Sequence, residues 1–110
     1  MSIKKLEHLL TNVTEVKTGE VFQPKVSNRS YQVSAIADAG ANASATVKIE
    51  VSNYEMKNYE TLAEITFSNI NDSEESKIEV SRSAVRFVRA RVVSISGSGM
   101  TISAVMNGGD

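Results

Sequence analysis

The stretch Thr46-Val-Lys-Ile-Glu-Val-Ser52 alternates polar and apolar side chains without a break. Successive side chains of a β-strand point to opposite faces of its sheet, so this alternation predicts a strand with one buried and one solvated face. The same period of two recurs along the chain, between turns rich in Gly, Asn and Ser, at residues 31–35, 62–67, 78–81, 88–92 and 100–106. No helical run long enough for a crossover between parallel strands separates these segments, which excludes a parallel α/β sheet.

The sequence therefore predicts an all-β fold, an antiparallel β-sandwich of about six to eight strands. One apolar and one polar face per strand fits two sheets that pack over a shared core. The apolar positions of the alternating segments form the predicted core, which comprises Val47, Ile49, Val51, Ile65, Phe67, Val88, Val92 and Ile102.

The N-terminal segment follows a different pattern. Ile3, Leu6, Leu9 and Leu10 are separated by three- and four-residue steps. This spacing predicts a short amphipathic helix, and an extended arm is the alternative. Residues 1–18 are therefore interpreted as an N-terminal arm or short helix and residues 19–110 as the β-sandwich domain. The apolar stripe of the arm would suit docking on a partner protein.

Composition restricts the class of protein. The chain has 110 residues, a net charge of −1 and no cysteine, a length that fits one domain. Balanced charge argues against a nucleic-acid-binding protein, since binding to phosphates requires a surplus of basic groups. The lack of cysteine excludes disulfides and favours synthesis in a reducing cytoplasm. The N-terminus does not fit a signal peptide, and no apolar stretch approaches the roughly 18 residues of a membrane span.

Few residues could support catalysis or bind a metal. His8 is the only histidine, and its position fits a surface residue. Ser98 lies in Gly97-Ser98-Gly99, which is better explained by a hairpin turn than by a nucleophile elbow. The acidic turn at residues 69–75 lacks the ligand spacing of a calcium loop. We therefore expect no enzymatic activity, no cofactor and no bound metal.

Arginines are concentrated in one short region. Four of the five fall within ten residues: Arg82, Arg86, Arg89 and Arg91. If the apolar residues of this strand face inward, Arg89 and Arg91 project from one outer face. Guanidinium groups are suited to bidentate pairing with carboxylates. Three interpretations remain open: pairing within the chain with Glu74, Glu75 or Glu79, a contact with a partner protein, and a contact with nucleic acid, which the scarcity of interleaved aromatic residues disfavours.

Two tyrosines, Tyr54 and Tyr59, lie in a loop rich in Asn and Glu. Exposed aromatic rings can serve as platforms for sugars, and tyrosine also anchors protein interfaces. The loop is therefore a candidate binding site for either kind of partner.

Three segments together resemble small virion proteins of tailed bacteriophages. They are the strand–loop–strand region 46–66, Val85-Arg-Phe-Val-Arg-Ala-Arg-Val92, and Ser94-Ile-Ser-Gly-Ser-Gly-Met-Thr-Ile-Ser103. With its length, charge and absence of cysteine, the chain resembles the capsid decoration, or staple, proteins of short-tailed phages similar to epsilon 15.

The resemblance implies a jelly-roll-like structural protein on the outer capsid surface, made in the cytoplasm of the bacterial host. It further implies that the protein clamps neighbouring major capsid subunits together and self-associates as a dimer, without a nucleic-acid or membrane partner. The alternative function is a carbohydrate-binding β-sandwich module of a phage tail or adhesin.

Overall fold

The computed structural model describes residues 5–24, 28–71, 74–82 and 85–109, and within these ranges the chain forms eight β-strands. The strands are β1 (Lys5–Val13), β2 (Lys17–Thr18), β3 (Asn28–Ile36), β4 (Ala43–Ser52), β5 (Glu60–Ile70), β6 (Glu75–Arg82), β7 (Phe87–Ser96) and β8 (Thr101–Gly109). All paired strands are antiparallel, and the described part of the chain contains no helix. The predicted all-β fold is confirmed.

The strands form two four-stranded sheets. The first sheet has the order β1-β8-β3-β6 and the second has the order β2-β7-β4-β5. Every connection crosses from one sheet to the other except the link from β4 to β5, which stays within the second sheet. This is the strand order of an eight-stranded jelly roll, in which two Greek keys form a double sheet. The sandwich is thin, about 17 Å along its shortest axis.

The core lies between the two sheets and follows the predicted alternation. Seven of the eight predicted core residues are buried, and Val51 is partly buried and packs against the others. The largest completely enclosed side chains include Tyr31, Phe67 and Met106. The apolar face that the sequence predicts for β4, β5, β7 and β8 therefore forms the interior of the sandwich.

The N-terminal segment is a strand of the sandwich, so the expected helix or separate arm is wrong for its described part. β1 pairs with β8 along the edge of the first sheet. Its register shifts between His8 and Leu10 and again between Leu10 and Val13, and Asn12 has a φ of 46°. These bulges let both Leu9 and Leu10 enter the core, although they are neighbours in sequence. Bulges therefore produce the apolar spacing that resembles a helix.

The turn between β7 and β8 depends on a glycine. Gly97 has a φ of +112°, and a Cβ atom at this position would lie 2.4 Å from the Cβ of Ala43. We expect Gly97→Ala to lower the free energy of unfolding by about 2 kcal/mol, through backbone strain and overpacking. Gly40→Ala is the matched control, because Gly40 also has a positive φ, +73°, but has no atom within 4 Å of the added Cβ.

Gly40→Ala should lower the free energy of unfolding by only about 1 kcal/mol, because the added Cβ atom meets only the strain of the left-handed backbone conformation. Urea unfolding of the two variants measures the difference. Equal losses of stability would contradict the close packing of Gly97 against Ala43.

Candidate partner-binding site

The two central arginines of β7 lie on the outer face of the second sheet, as predicted, and both bind one carboxylate. Arg89 donates from Nε to Oε1 of Glu50 at 2.9 Å, and Nη2 of Arg91 lies 3.1 Å from Oε2 of the same residue. The Glu50 side chain is 6 % exposed, whereas those of Arg89 and Arg91 are 24 % and 36 % exposed. Two guanidinium groups thus compensate the desolvation of one buried carboxylate.

The carboxylate that the two arginines bind is not one of the three that the sequence suggested as partners within the chain. Glu75 lies on β6, a strand of the other sheet, as does Glu79, whereas Glu50 lies directly opposite Arg89 in the register of β4 and β7. Glu74 directly precedes β6, so the expected pairing of Arg89 and Arg91 with Glu74, Glu75 or Glu79 is wrong. Cross-strand register, which joins residues 39 positions apart in the sequence, selects Glu50.

The loop between β4 and β5, here called the 53–59 loop, is fixed by its own hydrogen bonds. Ser52 Oγ donates to the carbonyl of Lys57 at 2.7 Å and accepts from the backbone N–H of Tyr54 at 3.0 Å. At the far side of the loop, the Tyr59 hydroxyl donates to the carbonyl of Glu55 at 2.8 Å. These hydrogen bonds constrain the loop backbone from within the chain, without a contribution from a partner.

Arg89 connects the arginine pair to the loop. Its guanidinium lies 3.8 Å from the centre of the Tyr59 ring, within the range of a cation–π contact. Partial burial raises the pKa of Tyr59 above its ordinary value, although the Arg89 charge opposes the rise. The phenol therefore stays protonated at neutral pH and remains the hydrogen-bond donor to the loop.

Exposed side chains gather at the end of the sandwich that the 53–59 loop forms. Tyr54 is 56 % exposed and Met56 is 83 % exposed. The Lys57 ammonium lies 5.0 Å from the Tyr54 ring centre, and exposed Arg86 joins the group because its backbone N–H donates to Asn53 Oδ1 at 3.2 Å. We call Tyr54, Met56, Lys57 and Arg86 the tip surface. Tyr, Met and Arg are enriched in protein interfaces.

The two tyrosines do not form a pair of open platforms for a sugar. One face of the Tyr59 ring is occupied by Arg89, and its hydroxyl is bound within the loop. Tyr54 keeps more exposed surface, although Lys57 lies over its ring. A stacking surface at this site would thus rest on one aromatic ring rather than two.

The described side chains among the remaining residues predicted to bind a partner lie away from this site. Leu9 and Leu10 are buried in the core, at 3 % and 4 % exposure, which removes them from any docking surface. Leu6 is 55 % exposed on β1. Ile3 lies outside the described residues. Arg82 ends β6, and its side chain is likewise outside what the structure describes.

The outer face of the first sheet is a second surface, which the sequence did not predict. Ile78 and Val80 of β6 are 62 % and 79 % exposed, so the expectation that the apolar side of each strand faces the core is wrong for β6. Lys77 instead pairs with buried Val33, and its ammonium lies 5.3 Å from the Phe67 ring centre. The stem of a lysine can cover apolar surface at an open edge while its charge stays hydrated.

Alternation along the four strands places a set of uncharged side chains on this outer face. No Lys, Arg, Asp or Glu occurs among its described side chains, and exposed His8 of β1, directly opposite Val105, lies on the same face. We call this set the uncharged face; it comprises Leu6, Ser30, Gln32, Ser34, Ile36, Ser76, Ile78, Val80, Thr101, Ser103, Val105 and Asn107. Exposed apolar groups surrounded by polar ones mark interaction surfaces.

Within the described ranges, no group of three or more acidic or histidine side chains could hold a metal ion. The same part of the chain has no helix of the length and hydropathy that crossing a membrane would require.

Comparison with known proteins identifies the fold. No protein-family model matches the chain, and no curated protein matches it. The SPBc2 prophage-derived protein YomS superposes with a TM-score of 0.59 and 15 % identity, over 97 % of this chain and 95 % of YomS. The PBSX exported protein XepA gives a TM-score of 0.63 and 18 % identity over 96 % of this chain. The chain spans 37 % of the length of XepA. These similarities show a shared fold.

Proposed function

We propose that this protein is a structural component of a bacteriophage particle. In this proposal it decorates the outer capsid surface and clamps neighbouring major capsid subunits together. It is made in the bacterial host cytoplasm, has no enzymatic activity and no metal, and binds neither nucleic acid nor membrane. The fold that it shares with a prophage-derived protein and the resemblance of residues 44–106 to phage decoration proteins both support this proposal.

The observation that carries the proposal is the tip surface on a fixed loop. Met56 is 83 % exposed, and Tyr54 projects beside it from a backbone held by Ser52. Ordering a flexible loop on binding would reduce affinity, so a loop already fixed in the free protein favours binding. Exposed methionine and tyrosine with flanking cations suit a protein surface that is apolar and acidic.

Decoration of a lattice also explains why a small contact is sufficient. A chain of this size that joins two subunits is held at both, so the second contact forms at a high effective concentration. Moderate affinity at each of the two contacts then gives firm attachment to the assembled shell.

Co-sedimentation with capsids that lack the protein tests the proposal. We expect Met56→Glu to weaken attachment by about tenfold or more, because it places a charge in the centre of an apolar contact. Val16→Glu is the matched control, since Val16 is 62 % exposed but lies in the turn after β1, at the opposite end of the sandwich. It should attach like the parent. Absence of attachment by the parent protein, or equal attachment by both variants, would contradict the proposal.

The exposed ring of Tyr54 favours the alternative function, a carbohydrate-binding module of a phage tail or adhesin. Titration of the protein with host surface polysaccharide distinguishes the two functions. Saturable binding that is lost in Tyr54→Ala and kept in Val16→Glu would support the alternative, and no binding is expected if the tip surface contacts protein.

A further inference from the structure

We propose that Met56 is a site of selective two-electron oxidation by peroxide, and that its sulfoxide form lowers the affinity of the tip surface for a capsid subunit. The first half of this proposal concerns the free chain alone, and the second half rests on the proposed function. A methionine sulfoxide can be reduced again by dedicated reductases, so a site of this kind acts as a reversible redox switch.

The composition of the chain directs peroxide toward methionine. The chain has four methionines, no cysteine and no tryptophan. Cysteine thiolates, which would otherwise compete for the oxidant, are therefore absent. Peroxide that reaches the protein will react first at the methionine sulfur atom that is most open to solvent.

Burial divides the described methionines into two groups. Met100 and Met106 belong to the core between the two sheets, at 3 % and 2 % exposure, whereas Met56 is 83 % exposed on the 53–59 loop. Met1 lies outside the described residues. Peroxide can reach the two core sulfur atoms only when packed strands open, and such opening requires free energy. Oxidation of Met56 requires no opening.

The hydrogen bonds that fix the loop do not involve the Met56 side chain. Ser52 Oγ binds the backbone of Tyr54 and of Lys57, and the Tyr59 hydroxyl binds a backbone carbonyl of the loop. Oxidation of the thioether removes none of these bonds. We therefore expect it to change the chemistry of the tip surface and to leave the fold intact.

The step transfers one oxygen atom from peroxide to sulfur. A lone pair on Sδ of Met56 attacks one oxygen of hydrogen peroxide, so that an S–O bond forms and the O–O bond breaks. The departing hydroxide takes the proton of the transferred oxygen and leaves as water. Sulfur is oxidised by two electrons and peroxide is reduced by two. In the reverse reaction, a reductase uses a dithiol, which becomes a disulfide while the oxygen leaves as water.

The sulfoxide places a strong dipole in the middle of the tip surface. Burying a polar group without a hydrogen-bond partner costs free energy, so a partner surface that fits the thioether disfavours the sulfoxide. We expect sulfoxide at Met56 to weaken attachment by about fivefold or more. Its effect should be smaller than that of Met56→Glu, because the sulfoxide carries no net charge.

Peptide mapping of the folded full chain after brief treatment with hydrogen peroxide tests the site. Cleavage after lysine and arginine places Met56 in the peptide 49–57, apart from Met100 and Met106 in the peptide 92–110. We expect Met56 to gain one oxygen atom at least about tenfold faster than either core methionine. The same treatment in urea should abolish the difference, because unfolding exposes all three sulfur atoms. Equal rates in the folded protein would overturn the site.

Co-sedimentation with capsids that lack the protein tests the switch, with peroxide removed before mixing so that the shell is not oxidised. Treated parent should attach about fivefold or more weakly than untreated parent, and a methionine sulfoxide reductase with a dithiol should restore attachment. Met56→Leu should attach equally with and without treatment, because leucine has no sulfur atom. Val16→Glu, at the opposite end of the sandwich, should be as sensitive to peroxide as the parent.

The outcomes separate this switch from the proposed function. Unchanged attachment of the treated parent, or continued sensitivity to peroxide in Met56→Leu, would overturn the switch and leave the proposed function intact. An untreated parent that does not attach would overturn both, whereas the peptide map would still establish the oxidation site. Treated and untreated protein should have the same melting temperature. A lower melting temperature after treatment would contradict oxidation confined to the exposed loop.

Discussion

Leu10→Ala is expected to lower the free energy of unfolding by about 3 kcal/mol, the cost of removing a leucine from a packed core. Leu10 is 4 % exposed and belongs to the cluster of buried residues that joins both sheets. Leu6→Ala is the matched control on the same strand. Leu6 is 55 % exposed, so its truncation should cost less than about 0.5 kcal/mol.

Urea unfolding measures both variants, and it distinguishes a core strand from a docking arm. If β1 were an arm that folds only on a partner, the two truncations would have equally small effects on the free protein. Near-equal losses would therefore contradict the assignment of β1 to the sandwich.

Glu50→Ala is the second large effect, with an expected loss of about 2–3 kcal/mol in the free energy of unfolding. Removing one partner of a buried ion pair leaves the others without compensation, which typically costs about 3–5 kcal/mol. The value expected here is lower because Arg89 and Arg91 remain partly hydrated, at 24 % and 36 % exposure. The stacked position of Arg89 on Tyr59 should loosen as well.

Glu64→Ala is the control for Glu50→Ala. Glu64 is 54 % exposed and lies 3.7 Å from the Lys48 ammonium, an exposed ion pair that should contribute less than about 1 kcal/mol. Thermal and urea unfolding measure the difference between the two glutamates. An equally small loss in the free energy of unfolding for both variants would contradict the stabilisation of the second sheet by the buried Glu50 carboxylate.

The sequence predicts the sandwich because its signal is local. Period-two alternation in β4, β7 and β8 identifies both the strands and their buried faces. The sequence mispredicts β1 because two bulges place Leu9 and Leu10 on the same side, which imitates the spacing of a helix. A bulge depends on the partner strand, so the β1 sequence alone does not contain it.

The candidate sites were harder to predict because both depend on contacts between distant segments. The concentration of arginines in the sequence indicates Arg89 as a candidate site residue. Its partner Glu50 resembles any outward-facing residue of β4 until the register between β4 and β7 is known. For β6, alternation indicates which residues share a face but not which face is buried. Exposure of Ile78 follows from pairing with outward-facing Gln32, a relation that only the sheet reveals.

Electron cryomicroscopy of capsids saturated with the protein tests the capsid-clamping function most directly. The predicted result is additional density on the outside of the shell that bridges neighbouring major capsid subunits, with the 53–59 loop directed toward the shell. A shell without added density, or density on the tail alone, would contradict the proposed function.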